Sequence, residues 1–206
     1  VKVISVFSHG PGHMFTTKTP MNSLTDLAGL KIRVGGGVVN DVAKAIGVSP
    51  LLKPAPKSFE ILNSGVADGI FFPAESIQGF KLTGVIRHAS FVPGGLYNTS
   101  FVMMMNQAKF NALPKEDQDA INKVSGEYFA RLAGKAWDKA DEAGKAAMKA
   151  AGIEMKVTSP EFVAAMKTKT DPIELSWYKD IKGKGVDGAA LMKEFRTEIA
   201  KVAAGK

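Results

Sequence analysis

Arg33 closes the short apolar run Leu30-Lys31-Ile32-Arg33-Val34, and three glycines, Gly35 to Gly37, follow it directly. Glycines let the backbone turn sharply and leave amide groups open at the start of the next helix, so a fixed cation beside them suits a small anion. A surface arginine paired to a carboxylate would fit the same residues. His9 and His13, in HGPGH, have the H-x-x-x-H spacing that on a helix would aim two imidazoles at one metal. Pro11 and the two glycines forbid that helix and no third ligand is evident, so the segment reads as a tight loop with one histidine near a polar pocket. Phe71 and Phe72 follow the Asp68-Gly69 turn at a strand end, where α/β folds place ligands. Consecutive strand residues face opposite sides, so one of the two phenylalanines is free to line a cleft.

Other chemistries find little support. The only histidines are His9, His13 and His88, and no serine sits in a GxSxG elbow. Asp68 and Glu75 share a segment, but Asp68 before Gly69 reads as a turn residue. Asn40 stands where a dinucleotide fingerprint needs glycine. The absence of cysteine excludes disulfides, thiolate metal sites and a cysteine nucleophile. No enzyme, metal or cofactor is expected. The net charge of +7 comes from lysines dispersed among acidic residues, without an arginine-rich block, so nucleic acid is not an expected partner either. Val1 to Gly10 is too short and too soon broken for a signal peptide, and no apolar run approaches ~18 residues. A soluble chain is expected, with any targeting peptide lying outside it.

The elements that position these residues follow from periodicity. Strands are expected at Lys2 to Phe7, Leu30 to Val34, Pro50 to Lys53, Gly69 to Phe72, Ser100 to Met105 and Ile153 to Val157. Helices are expected around Asn40 to Ile46, Lys57 to Ser64 and Glu75 to Leu82, which makes the chain α/β. Ser23 and Asp26 form a capping box for one helical turn. From Pro114 to Gly152 nothing strongly breaks a helical pattern. Ile121, Val124, Tyr128, Leu132, Ala136 and Ala140 give it one apolar stripe, and Gly126, Gly134 and Gly144 are its bending points. A rod about 55 Å long would exceed one small domain and brace two lobes. Further helices are expected to start near Pro160 and Pro172, the second capped by Asp171 and Glu174. A last helix, capped by Asp187, is expected to pack through Leu191, Phe195, Ile199 and Val202. Met103 to Met105 read as strand core.

DLAGLKIRV at Asp26 to Val34, AKAIGVSP at Ala43 to Pro50, LNSGVADG at Leu62 to Gly69 and MNQAKFNALPKEDQDAI at Met105 to Ile121 occur in an ordered set. With these the chain resembles the DctP-type substrate-binding proteins of tripartite ATP-independent periplasmic (TRAP) transporters. The resemblance implies a two-lobed periplasmic binding protein (clamp) fold bridged by a long helix. It also implies a carboxylate ligand salt-bridged by Arg33, a TRAP permease as partner, and a periplasmic location. By the same resemblance His13 stands at a second basic contact, Phe72 replaces a ligand-binding asparagine, and Asn98, with Tyr97 beside it, matches a contact near the hinge. An aromatic ring in place of a polar contact points to a monocarboxylate with an apolar or aromatic body rather than a sugar acid.

Family members carry most of one lobe before the point where this chain starts. On that reading residues 11–99 with 160–206 form the second ligand-binding lobe. Residues 1–10 with 100–159, including the hinge strands and the bridging helix 114–151, are a remnant of the first. Such a remnant would expose apolar surface and promote self-association. The alternatives to transport are a sensory or effector-binding module and an enzyme acting on a small carboxylate.

Overall fold

The computed structural model describes residues 1–205. Its larger sheet has six strands: β2 (Gly12–Thr16), β3 (Lys31–Val34), β4 (Ser49–Leu52), β5 (Gly69–Pro73), β6 (His88–Phe91) and β8 (Glu154–Val157), in the order β4-β3-β5-β2-β6-β8. Strands β4, β3 and β5 are mutually parallel, β2 runs antiparallel to β5 and β6, and β8 is parallel to β6. A separate two-stranded antiparallel ribbon joins β1 (Lys2–Ser8) to β7 (Ser100–Met105).

Each face of the larger sheet carries its own core because the strands alternate. Ile32 and Val34 of β3 point into one core with Met14, Leu27 and Phe71. That core is closed by α1 (Leu24–Leu27), α2 (Val38–Ala45) and the first turns of α8 (Pro160–Lys182), through Phe162 and Met166. Arg33, between Ile32 and Val34, takes the opposite face. There Phe15, Ile70, Ile77 and Met148 form the second core, under α3 (Ser58–Asn63), α4 (Ala74–Gly79) and α7 (Glu127–Ala150). The Ser23–Asp26 capping box starts α1 as its sequence requires.

Strands β2 and β6 are absent from the sequence reading. All five residues of β2 are buried between two strands and two cores, so GHMFT shows no alternation, and the neighbouring Pro11 and glycine mimic a loop. Strand β8 pairs with β6, so residues 154–157 belong to the larger sheet rather than with residues 1–10 and 100–159.

The expected rod is two helices, α6 (Lys115–Val124) and α7, after a short α5 (Gln107–Asn111). The break falls at Ser125 and Gly126, where Gly126 has φ 65°. That left-handed turn lets the Gly126 amide donate to the Ile4 carbonyl at 2.7 Å while its own carbonyl accepts from Ser5 Oγ at 2.9 Å. Two bonds to β1 thus replace helix continuation. The 24 residues of α7 span about 36 Å and pack against both β1 and α4.

The packed stripe of α7 also differs from expectation. Asp141, Gly144 and Met148 are buried, whereas Tyr128 and Leu132 face solvent at 61% and 56% exposure. At Gly144 the helix meets α4 so closely that a Cβ would lie 2.4 Å from the Ala74 carbonyl oxygen. Backbone proximity, which apolar periodicity does not encode, sets this face.

Pro172 lies inside α8 instead of starting a new helix, and Asp171 pairs with Lys167 one turn back rather than capping. The exposed helix tolerates the one lost amide. In α9 (Gly188–Ala203), capped by Asp187, the expected packing face of Leu191, Phe195, Ile199 and Val202 is open to solvent. Contact with α8 runs instead through Gly188 against Tyr178 and Ile181 and the Arg196–Glu174 pair at 2.6 Å. Met103 and Met104 are likewise exposed rather than strand core, since β7 has only β1 beside it. Among the described residues no helix is long and apolar enough to cross a membrane.

Candidate functional site

The end of β3, the turn after β5 and the start of β7 converge on α7 around a cavity of about 320 Å³. Its size sits at the lower end of small-molecule sites. Arg33, Gly35 and Gly36 form one wall, and Phe72, Pro73, Glu75, Ser76 and Phe80 form another. Tyr97, Phe101, Trp137 and His9 also line it.

Arg33 is 3% exposed. Its Nε donates to the Lys53 carbonyl at 2.8 Å, and its guanidinium carbon lies 4.5 Å from the Phe72 ring centroid. Phe72 in turn stacks on Phe80 at 5.4 Å. Arg33 makes no ion pair among the described residues, and its two terminal nitrogens have no protein acceptor there. Burial pushes its pKa down from the usual value, with Tyr97 opposing the shift, yet a guanidinium stays charged at neutral pH. A buried cation without a counter-ion is costly, and this one faces an open cavity.

Tyr97 is fixed from both ends. Its hydroxyl donates to the Phe71 carbonyl at 3.1 Å and its own carbonyl accepts from the Gly12 amide at 2.9 Å. Burial pushes the phenol well above its ordinary pKa, so it remains neutral. The far side is aromatic: Phe101 of β7 stacks on Trp137 of α7 at 6.2 Å and 10°, and the His9 ring stands edge-on to Tyr97 at 5.7 Å.

Of the residues singled out from sequence, Arg33, Phe72 and Tyr97 meet in this cavity. His13 does not. It faces the second core, where its Nδ1 accepts from the Val92 amide at 3.2 Å and its ring packs on Phe91 at 4.8 Å. Burial, with Lys145 adding to it, lowers its pKa to about 4, so His13 is a neutral packing residue rather than a second cation. Asn98 also lies outside the wall, its amide donating to the His9 carbonyl at 3.0 Å. His9, four residues before His13, takes the cavity position instead. Asp68 accepts from the Lys31 amide at 2.8 Å and is the turn residue it reads as.

Sequence reading misses Phe80, Phe101 and Trp137, because their shared site is made by packing between distant segments. Glu75 was visible only as half of an unconvincing carboxylate pair. Its true neighbour is Asp141, 66 positions away, whose Oδ1 accepts from the Glu75 amide at 2.8 Å. Burial raises both carboxyls above their ordinary range, partly offset by the Ser76 hydroxyl on Glu75 and by that amide on Asp141. Among the described residues no group of three or more histidines and carboxylates could hold a metal.

Proteins of known structure and proteins of known function resemble this chain. A TRAP periplasmic solute-binding protein from Bordetella bronchiseptica, solved with bound (R)- and (S)-mandelate, superposes with a TM-score of 0.94 at 45% identity, over 98% of this chain and 64% of that one. A marine metagenome TRAP solute-binding protein specific for aromatic acid ligands, solved with 3-hydroxybenzoate, matches at TM-score 0.90 and 33% identity, over 97% of this chain and 63% of that one. The outer membrane transporter protein TsaT of Comamonas testosteroni is 29% identical over 201 residues, 97% of this chain and 59% of its own length. The chain therefore spans about three fifths of the length of these relatives, and within that span its fold is that of the two-lobed TRAP binding proteins. The profile of bacterial extracellular solute-binding protein family 7, DctP, matches residues 1–180, and the chain belongs to that family.

Proposed function

We propose that the protein is the solute-binding component of a TRAP transporter, capturing a small aromatic monocarboxylate in the periplasm and handing it to the membrane permease. The observation that carries this reading is Arg33, a buried guanidinium with free terminal nitrogens and no carboxylate of its own. A ligand carboxylate would supply the missing counter-charge through two parallel hydrogen bonds, which the planar arginine fork favours over lysine. The rings of Phe72, Tyr97, Phe101 and Trp137 then surround the ligand's body. The mandelate and 3-hydroxybenzoate bound by its relatives are acids of this class.

No bond of the ligand is broken in this reading. Residues 11–99 with 154–205, including β8, act as one lobe, and residues 1–10 with 100–153 act as the other. Arg33 and Phe72 belong to the first, Phe101 and Trp137 to the second. A ligand touching both stabilises the closed arrangement more than the open one, and that difference drives closure.

A thermal-shift screen of benzoate, mandelate, aliphatic monocarboxylates and glucuronate tests it. A ligand at 100 times its dissociation constant adds about 2.7 kcal/mol. The expected result is stabilisation by aromatic acids that disappears in Arg33→Ala. Equal stabilisation of parent and variant, or no stabilisation by any acid, overturns it.

A further inference from the structure

The cavity holds a second polar group that a carboxylate on Arg33 leaves unused. Glu75 lies in the first turn of α4, half-buried in the cavity wall. Its Oε1 accepts from the Ser76 hydroxyl, and its amide is held by Asp141 from across the α4–α7 contact. Its Oε2 receives no donor among the described residues, and no ion pair joins it to Arg33. The site is thus bipolar, with a donor fork at Arg33, a vacant acceptor at Glu75, and aromatic rings in the same lining.

We propose that Glu75 is the specificity-determining residue of this site, its Oε2 accepting a hydrogen bond from a hydroxyl on the ligand's aromatic body while Arg33 holds the carboxylate. This inference rests on the carboxylate-binding reading above. The preferred ligand class is then a hydroxylated aromatic monocarboxylate. The unhydroxylated acid, once bound, would cover Oε2 and leave it unpaired, which costs affinity. A second carboxylate on the ligand would meet Glu75 backed by Asp141, two like charges, so the same residue selects against dicarboxylates. Asp141 acts as a positioning residue: it touches the Glu75 backbone and fixes where the acceptor points.

Calorimetric titration of the protein with two matched pairs, 3-hydroxybenzoate against benzoate and 3-hydroxyphenylacetate against phenylacetate, tests the proposal. The parent is expected to favour the hydroxylated member of at least one pair by roughly 10- to 100-fold, the range for a hydrogen bond to a charged group. Glu75→Leu is expected to bring that ratio close to one. Glu75→Gln, which keeps a carbonyl acceptor, is expected to retain part of it. A merely structural role for Glu75 would weaken both members together and leave the ratio unchanged, and that result overturns the proposal. So does a parent that binds both members of each pair equally. In either case Arg33→Ala run in parallel still loses both acids, so the carboxylate reading survives the failure of this one. Binding of none of the four acids overturns both.

Discussion

The Arg33 guanidinium carbon lies over the Phe72 ring, 4.5 Å from its centroid, while its Nε is tied to the Lys53 carbonyl at 2.8 Å. Strand pairing explains the meeting: Arg33 is level with Ile70 on the parallel neighbour β5, and Phe72, two residues on, shares the face of Ile70. The backbone bond and the ring leave the terminal nitrogens turned to the cavity without a protein acceptor.

Stability and binding are therefore expected to part at Arg33. Arg33→Met keeps the length of the side chain and removes the uncompensated buried charge, so the unliganded protein should gain about 1–3 kcal/mol. Carboxylate affinity should fall by roughly 100-fold or more, the cost of losing one partner of a buried charge pair. Chemical denaturation and calorimetry on the same variant measure both. Phe72→Leu should leave the cation in place and weaken affinity by only roughly 3- to 30-fold, the range of one cation–π contact.

At the crossing of α7 and α4, Gly144→Ala places a methyl 2.4 Å from the Ala74 carbonyl oxygen, and backbone must move to admit it. A loss of about 1–3 kcal/mol is expected. Gly134→Ala on the same helix meets nothing within 4 Å and should gain up to about 1 kcal/mol from helix propensity. Thermal unfolding of the two variants side by side reads opposite signs, and equal signs would refute close packing at Gly144.

The pH dependence of folding should carry a signature of His13. Its folded pKa of about 4 lies below the ordinary 6.5, so between these values the unfolded chain binds the extra proton. The contribution is fully present above pH 6.5 and is lost as pH falls toward 4, for a total of about 3 kcal/mol. Glu75 and Asp141, both raised, act in the opposite sense and lose stability as pH rises through their range. His13→Gln keeps an acceptor for the Val92 amide. Urea titrations at several pH values should show the difference between parent and variant shrinking as the pH drops, and a constant difference would contradict a buried neutral imidazole.

The β1–β7 ribbon leaves Val3, Val6 and Met104 48%, 53% and 54% exposed, and the α9 stripe is open as well. Apolar surface on a two-stranded ribbon that joins no larger sheet favours pairing between chains. Sedimentation velocity across a range of concentrations should show association. A strict monomer at all concentrations would count against it.

Sequence by itself determined the local features. Strand alternation put Arg33 opposite Ile32 and Val34, the pleat separated Phe71 from Phe72, and the Ser23–Asp26 box started α1. Those are relations between residues a few positions apart, where geometry is set by the chain's own covalent repeat. The ordered motifs carried the family for the same reason, since they are read along the chain. Only the tertiary structure decided which histidine reaches the cavity, because β2 is buried on both faces and shows no periodicity to mark its sides. It alone chose the packed face of α7, where the nearness of Ala74 to Gly144 outweighed the stripe of Tyr128 and Leu132. It alone brought Glu75 to Asp141, 66 residues apart, and Trp137 to Phe101. Contacts between distant segments depend on how whole elements dock, and no local pattern in a single sequence records that.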